Sequence, residues 1–146
     1  MNSEQESGIY ILELQITDRH IDENNHVNNI EYVKWMQKIA IRHSESRLHP
    51  SVLAGHNATW VVRSHHIDYL FPAFPGDIIE IKTWVAQTSN VRSVRKYQFV
   101  NKKSGRKLVT AETNWVFIDI NSGRPKPIPD DVRNAYIQVL PENEPK

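Results

Sequence analysis

The stretch from His20 to Trp35, HIDENNHVNNIEYVKW, gathers Asp22, Asn24, Asn25, His26, Asn28 and Asn29 just before a helical pattern begins. One asparagine or aspartate is enough to cap a helix, because a single side-chain oxygen accepts from an orphaned first-turn N–H. Four asparagines, a histidine and a carboxylate exceed that need. The N–H groups at a helix start form an electropositive site suited to an anion or a developing oxyanion. Asp22, a few residues upstream, adds a base or a nucleophile beside it. Oxyanion donors next to a group that attacks or activates water form the layout that acyl transfer requires.

The elements that must hold this cluster are legible on either side of it. IYILELQIT, Ile9 to Thr17, is rich in apolar and β-branched residues and reads as a strand. A helix is expected from about Val27 to about Arg47, ended by Pro50. Its Tyr32, Val33, Trp35, Met36, Ile39 and Ala40 fall in one arc of about 160°, broader than a surface helix needs, so a curved sheet should wrap it. After a loop at PSVLAGHN come four extended segments: ATWVVRSHHIDYL, DIIEIKTWVAQ, VRSVRKYQFV and KLVTAETNWVFIDI. FPAFPG, TSN and NKKSGR separate them, and the last two separators suit hairpins. NSGRPKPIPDDV leaves the sheet through a proline-rich turn toward a short final helix, and the tail PENEPK is expected to be disordered. The order β-α-β-β-β-β describes an α+β domain, one antiparallel sheet with one long helix.

Composition bounds the function. With 146 residues, an apolar fraction of 39% and a charged fraction of 24%, the chain fits one folded domain. The net charge of +1 provides no global field for nucleic acid or a membrane surface. Cysteine is absent, which excludes disulfides, thiolate metal sites and a cysteine nucleophile. The N-terminal MNSEQESG has neither a basic nor an apolar leader region, and no run approaches the ~20 apolar residues of a membrane span. The expectation is a cytoplasmic protein.

Other chemistries fit less well. There is no G-x-S-x-G, Gly-rich phosphate loop or H-E-x-x-H in the chain. His65 and His66 are adjacent on a strand, so their rings point to opposite faces. His20, Asp22 and His26 lack the supporting acid of a metal site, and no metal or other cofactor is expected. Asn90 to Lys107 carries seven cations and no acid. Three readings apply to it: a nucleic-acid surface, the solvent face of a hairpin with Tyr97 and Phe99 packed inward, or a rim for the phosphates of a small carrier. The modest net charge favours the last two over nucleic acid.

The run DENNHVNNIEYVKW resembles the D-x-N-x-H-V-N-N-x-x-Y signature of hotdog-fold thioesterases, especially acyl-ACP thioesterases. It is also similar to the looser D-x-x-G-H-V-N-N pattern of bacterial acyl-CoA thioesterases related to 4-hydroxybenzoyl-CoA thioesterase. IDYLFPAFPGDIIEIKTWV resembles that family's second strand, bend and G-D-x-[IV] lead-in to the third, and VFIDINSGRPKPIP its exit from the last strand. The resemblance runs over roughly residues 8–136, taken as the core of one hotdog domain spanning 1–146, with flexible termini.

The resemblance implies an antiparallel sheet around a central helix, and hydrolysis of an acyl-CoA or acyl-ACP without metal or cofactor. It assigns Asp22 as nucleophile or general base, and Asn24 and His26 to catalysis or to orienting water. The backbone N–H groups of Val27, Asn28 and Asn29 would polarise the thioester carbonyl. Arg92, Arg95, Lys102, Lys103 and Arg106 become candidate contacts for carrier phosphates, and the acyl chain is expected along an apolar groove between helix and sheet, near Trp35, Met36 and the strands of a partner protomer. Active sites between protomers imply a homodimer or homotetramer. The chain departs from the plant acyl-ACP enzymes in two respects. Those enzymes have a Glu or Cys where Pro72 and Ala73 stand here, so that part is missing or supplied otherwise, with Asp68 as one candidate, and they contain two repeats where this chain has one. The usual Gly before the motif histidine is Asn25, which tolerates left-handed geometry. A non-catalytic acyl-thioester-binding protein is the rival reading, and the acid at position 22 argues against it.

Overall fold

Alternating side chains make β1 (Tyr10–Gln15) a strand whose tyrosine and leucines turn inward while Ile11, Glu13 and Gln15 face solvent. The structure, a computed structural model, describes residues 7–146, so the N-terminal flexibility expected from sequence falls on residues outside the described range. A polar loop leads to α1 (Asn29–Arg47), which starts two residues later than Val27 because Asn28 is its cap: Asn28 Oδ1 accepts from the Ile30 N–H at 3.0 Å. The stretch read as a loop, PSVLAGHN, contains the short helix α2 (Pro50–Gly55). Pro50 suits a first helical turn, and His49 Nδ1 accepts from the Ser51 N–H at 3.1 Å, so a histidine does the capping.

Four longer strands follow: β2 (Ala58–Tyr69), β3 (Ile78–Thr88), β4 (Arg92–Asn101) and β5 (Lys107–Asp119). A short helix, α3 (Asp130–Arg133), ends the exit segment. All strand pairs are antiparallel, and the sheet order is β1-β3-β4-β5-β2. β1 and β2 therefore form its two edges. Tyr32, Trp35, Met36 and Ile39 of α1 lie against Ile79, Ile81, Tyr97, Phe99 and Val109 of the sheet, with Met36 and Ile39 fully buried. This is the wrapped helix that the broad apolar arc requires.

The tail does not behave as expected. PENEPK docks on the outer face of the sheet: Lys96 Nζ meets Glu144 Oε1 at 3.1 Å, and Gln98 Nε2 donates to the Pro145 carbonyl at 2.7 Å. Val139, just before it, is buried with Trp84 and Ala86. Apolar anchorage upstream and two polar contacts on β4 supply what composition alone conceals.

A polar insert interrupts the inner core. Arg95 Nη1 donates to His43 Nδ1 at 2.8 Å and to Thr83 Oγ1 at 3.2 Å, with all three residues buried. The Tyr10 ring stacks on the imidazole at 5.2 Å. Burial, then the charges of Arg95 and Arg47, push the His43 pKa from 6.5 down to about 3.

Two outcomes follow from this core. Met36→Ala should cost about 2–5 kcal/mol in urea unfolding, the range for emptying a buried site, and a loss below about 1 kcal/mol would contradict a tightly packed α1. His43 makes the fold sensitive to acid. Below the ordinary histidine pKa the unfolded chain takes up a proton that native His43 refuses until about pH 3. Stability should therefore fall as pH drops from 6.5 toward 3. His43→Gln, followed by urea midpoints from neutral to acid pH, should flatten that slope.

Candidate active site

The motif forms a small closed loop before α1. Ile21 and Val27 form an antiparallel bridge, and the Asp22 N–H donates to the His26 carbonyl at 2.8 Å. Within this loop Asn25 takes a left-handed backbone with φ 61°, the geometry that allows asparagine to replace the usual glycine. Asp22 Oδ1 accepts from the N–H groups of Asn24 at 2.9 Å and His26 at 3.2 Å. The half-buried carboxylate is thus clamped by backbone through one oxygen, and Oδ2 has no hydrogen-bond partner among the described residues.

Asn24 and His26 contribute to this clamp through their main chain. Both side chains are exposed, and the His26 ring lies edge-on to Phe74 with centroids 5.4 Å apart. The expected oxyanion donors divide differently. The Val27 N–H donates to the Ala73 carbonyl at 3.2 Å and the Asn28 N–H to the His20 carbonyl at 2.8 Å, so both amides are engaged. The Asn29 N–H has no acceptor among the described residues and opens at the helix start. His20 is tied into the scaffold, accepting from the Thr17 N–H at 3.0 Å and meeting the Trp35 ring edge-on at 5.2 Å.

The turn between β2 and β3, read from sequence as a separator and as the bend of the resembled family, forms the other wall. Ala73 holds Val27, Phe74 meets His26, and Tyr69 reaches the Tyr32 ring at 5.7 Å. Tyr69, Leu70, Phe71 and Phe74 are 42–47% exposed, and this apolar segment meets the motif loop at His26 and Val27. The clustered aromatics of DYLFPAFPG carried this signal.

Several candidates lie elsewhere. Asp68 pairs with His66 Nε2 at 3.2 Å on the outer face of the sheet, whereas Ile67 packs into the inner core. Strand alternation thus turns Asp68 away from the helix start. His65, as alternation demands, faces the opposite way from His66 and meets Thr113 Oγ1 at 2.8 Å. The five cations do not form one rim. Arg95 is 6% exposed and bonded inward, because it shares β4 parity with Tyr97 and Phe99. Arg92 sits at the opposite end of β4 from Lys102 and Lys103, about 30 Å away at strand rise. Lys102 is paired with Glu13 at 2.7 Å. Arg106 lies over the Phe71 ring at 4.4 Å, so the β4–β5 hairpin is at the motif end of the molecule. Within the single chain Trp35 and Met36 are packed into the core, 7% and 0% exposed. A cavity of about 320 Å³ lies farther along the helix, beyond Ala40.

Comparison with known proteins agrees with this architecture. Over 84 residues the chain is 31% identical to oleoyl-acyl carrier protein thioesterase 1 of Arabidopsis thaliana, an alignment covering 57% of this chain and 23% of that enzyme. The chain thus spans less than a quarter of the length of that plant relative. It is 20% identical over 128 residues to the long-chain acyl-CoA thioesterase FadM of Escherichia coli, covering 88% of this chain and 97% of that one. Among solved structures, the 12:0-ACP thioesterase from Umbellularia californica superposes with a TM-score of 0.82 at 20% identity, over 95% of this chain and 55% of that one. A 1,4-dihydroxy-2-naphthoyl-CoA thioesterase from Synechocystis superposes at 0.78 with 19% identity, over 87% of this chain and 94% of that one. Both share the hotdog fold. Residues 16–136 match the family described as the thioesterase-like superfamily, and the chain belongs to it.

Proposed function

We propose that the protein hydrolyses acyl thioesters of coenzyme A or of an acyl carrier protein, with Asp22 as the reacting carboxylate. The observation that carries this reading is the clamp on Asp22. Two backbone N–H groups fix one oxygen, and among the described residues neither the other oxygen nor the Asn29 N–H at the helix start has a partner. Family membership and the long-chain acyl-CoA activity in FadM's name support the reaction class.

In this mechanism Asp22 Oδ2 takes a proton from water, whose oxygen attacks the thioester carbonyl, or it attacks that carbon itself. The carbonyl oxygen becomes an oxyanion held by the Asn29 N–H and the positive end of α1. Collapse of the tetrahedral adduct re-forms the C=O and expels the thiolate. A thiolate is stable enough to leave without a strong acid, which fits a motif whose His26 side chain faces solvent. With the direct-attack route, water then hydrolyses the aspartyl anhydride.

The apolar patch from Tyr69 to Phe74 receives the first carbons of the acyl chain, and the hairpin cations Lys103 and Arg106 meet the carrier's phosphates. A second protomer completes the site. β2 is a sheet edge of 12 residues ending at this patch, and a long open edge with apolar neighbours favours pairing with another copy.

Two measurements test this. Asp22→Asn preserves the acceptor oxygen of the clamp and removes the charge, so kcat should drop ~10²–10⁴-fold on the best acyl-CoA or acyl-ACP, with the thermal midpoint nearly unchanged. Asn24→Ala and His26→Ala should lose less, because both hold Asp22 by backbone. Folded Asp22→Asn with wild-type turnover would remove Asp22 from the chemistry. Light scattering should give a dimer or tetramer, and an active monomer would exclude the shared site.

A further inference from the structure

Buried charges in proteins are paired, because an isolated ion in a low-dielectric interior is strongly disfavoured. Arg95 breaks that rule. It is 6% exposed, yet no carboxylate lies within ion-pair distance of it among the described residues. Its two hydrogen bonds both leave from Nη1, to His43 Nδ1 and Thr83 Oγ1. Arginine stays protonated, and a guanidinium carries five N–H donors. The Nε–Nη2 edge, with three of them, has no acceptor among the described residues. His43, the nearest titratable neighbour, is held neutral and offers no counter-charge.

Arg95 also lines the cavity of about 320 Å³. That volume falls at the lower end of small-molecule sites. Trp60, Trp115, Leu48, Leu53 and Ile128 give it apolar walls, and the Tyr136 and Ser44 hydroxyls, 2.7 Å apart, sit among them. The acid among its lining residues, Glu45, is exposed and makes no ion pair with Arg95. The cavity begins at Ala40, eleven residues into α1, so it stands about 17 Å along the helix axis from the Asn29 N–H.

We propose that this cavity is a binding site for a compact free carboxylic acid, its carboxylate on the Nε–Nη2 edge of Arg95 and its apolar body between Trp60 and Trp115. The fork of a guanidinium edge matches two carboxylate oxygens in a bidentate pair. A neutral apolar guest would leave the three N–H groups unpaired, and a cation would meet like charge. The site belongs to the same chemical class as the acid released by thioester hydrolysis, but the inference stands on Arg95 and the cavity alone.

The test is a calorimetric titration of the purified protein with sodium octanoate and, separately, with 1-octanol. Octanoate should bind once per chain, at least tenfold more tightly than the alcohol, and Arg95→Gln should remove that preference. Asp22→Asn should bind octanoate as wild type does, which keeps this result separate from the fate of the hydrolysis reading. Should Arg95→Gln fail to fold, Ser93→Phe, which fills the cavity and leaves the guanidinium in place, must abolish octanoate binding. Equal binding of acid and alcohol, no saturable octanoate binding, or undiminished binding by folded Arg95→Gln or by Ser93→Phe would each overturn the proposal.

Discussion

The contact between the apolar arc of α1 and the concave face of the sheet determines where everything else lies. Met36 and Ile39 are fully enclosed, with Phe99, Tyr97 and Ile81 across from them. Close packing at the middle of a nineteen-residue helix fixes its axis, and with it both ends. One end carries the uncommitted Asn29 N–H and the loop that clamps Asp22. The other reaches the cavity between α1, α2 and β5. Two polar features can coexist in so small a molecule because an apolar plug separates them.

The clamp itself shows how backbone accounting orients a side chain. A tight loop between Ile21 and Val27 leaves N–H groups that must find acceptors, and Asp22 Oδ1 takes two of them. Satisfying the loop therefore orients the carboxylate and leaves its second oxygen directed elsewhere. The loop's hydrogen bonds use one oxygen of the side chain and so are compatible with the chemistry proposed for Asp22.

Much of this was legible in the sequence. The strands and the helix follow from periodicity and local propensity, the left-handed Asn25 from the resemblance, whose motif has glycine there, and the motif marked the helix start. What escaped was mostly long-range. Whether Val27 or Asn29 supplies the free amide depends on Ala73, brought in from a turn 46 residues away. The docking of PENEPK depends on β4, whose partners no local pattern names. Arg95 is the instructive miss, because the sequence did hold the signal. Once Tyr97 and Phe99 are taken as inward, a period of two turns Arg95 inward as well, and only the habit of counting cations as surface placed it on the rim.

The docked tail has a consequence for how copies of this chain can stack. Lys96 and Gln98 occupy the middle strand of the sheet, and residues 139–146 lie across the face they project from. Any back-to-back arrangement of two sheets must first peel off that strap and re-expose Trp84 and Ala86. Contacts through strand edges require no such exchange. Residues 139–146 thus cover one face of the sheet and leave its two edge strands uncovered by them.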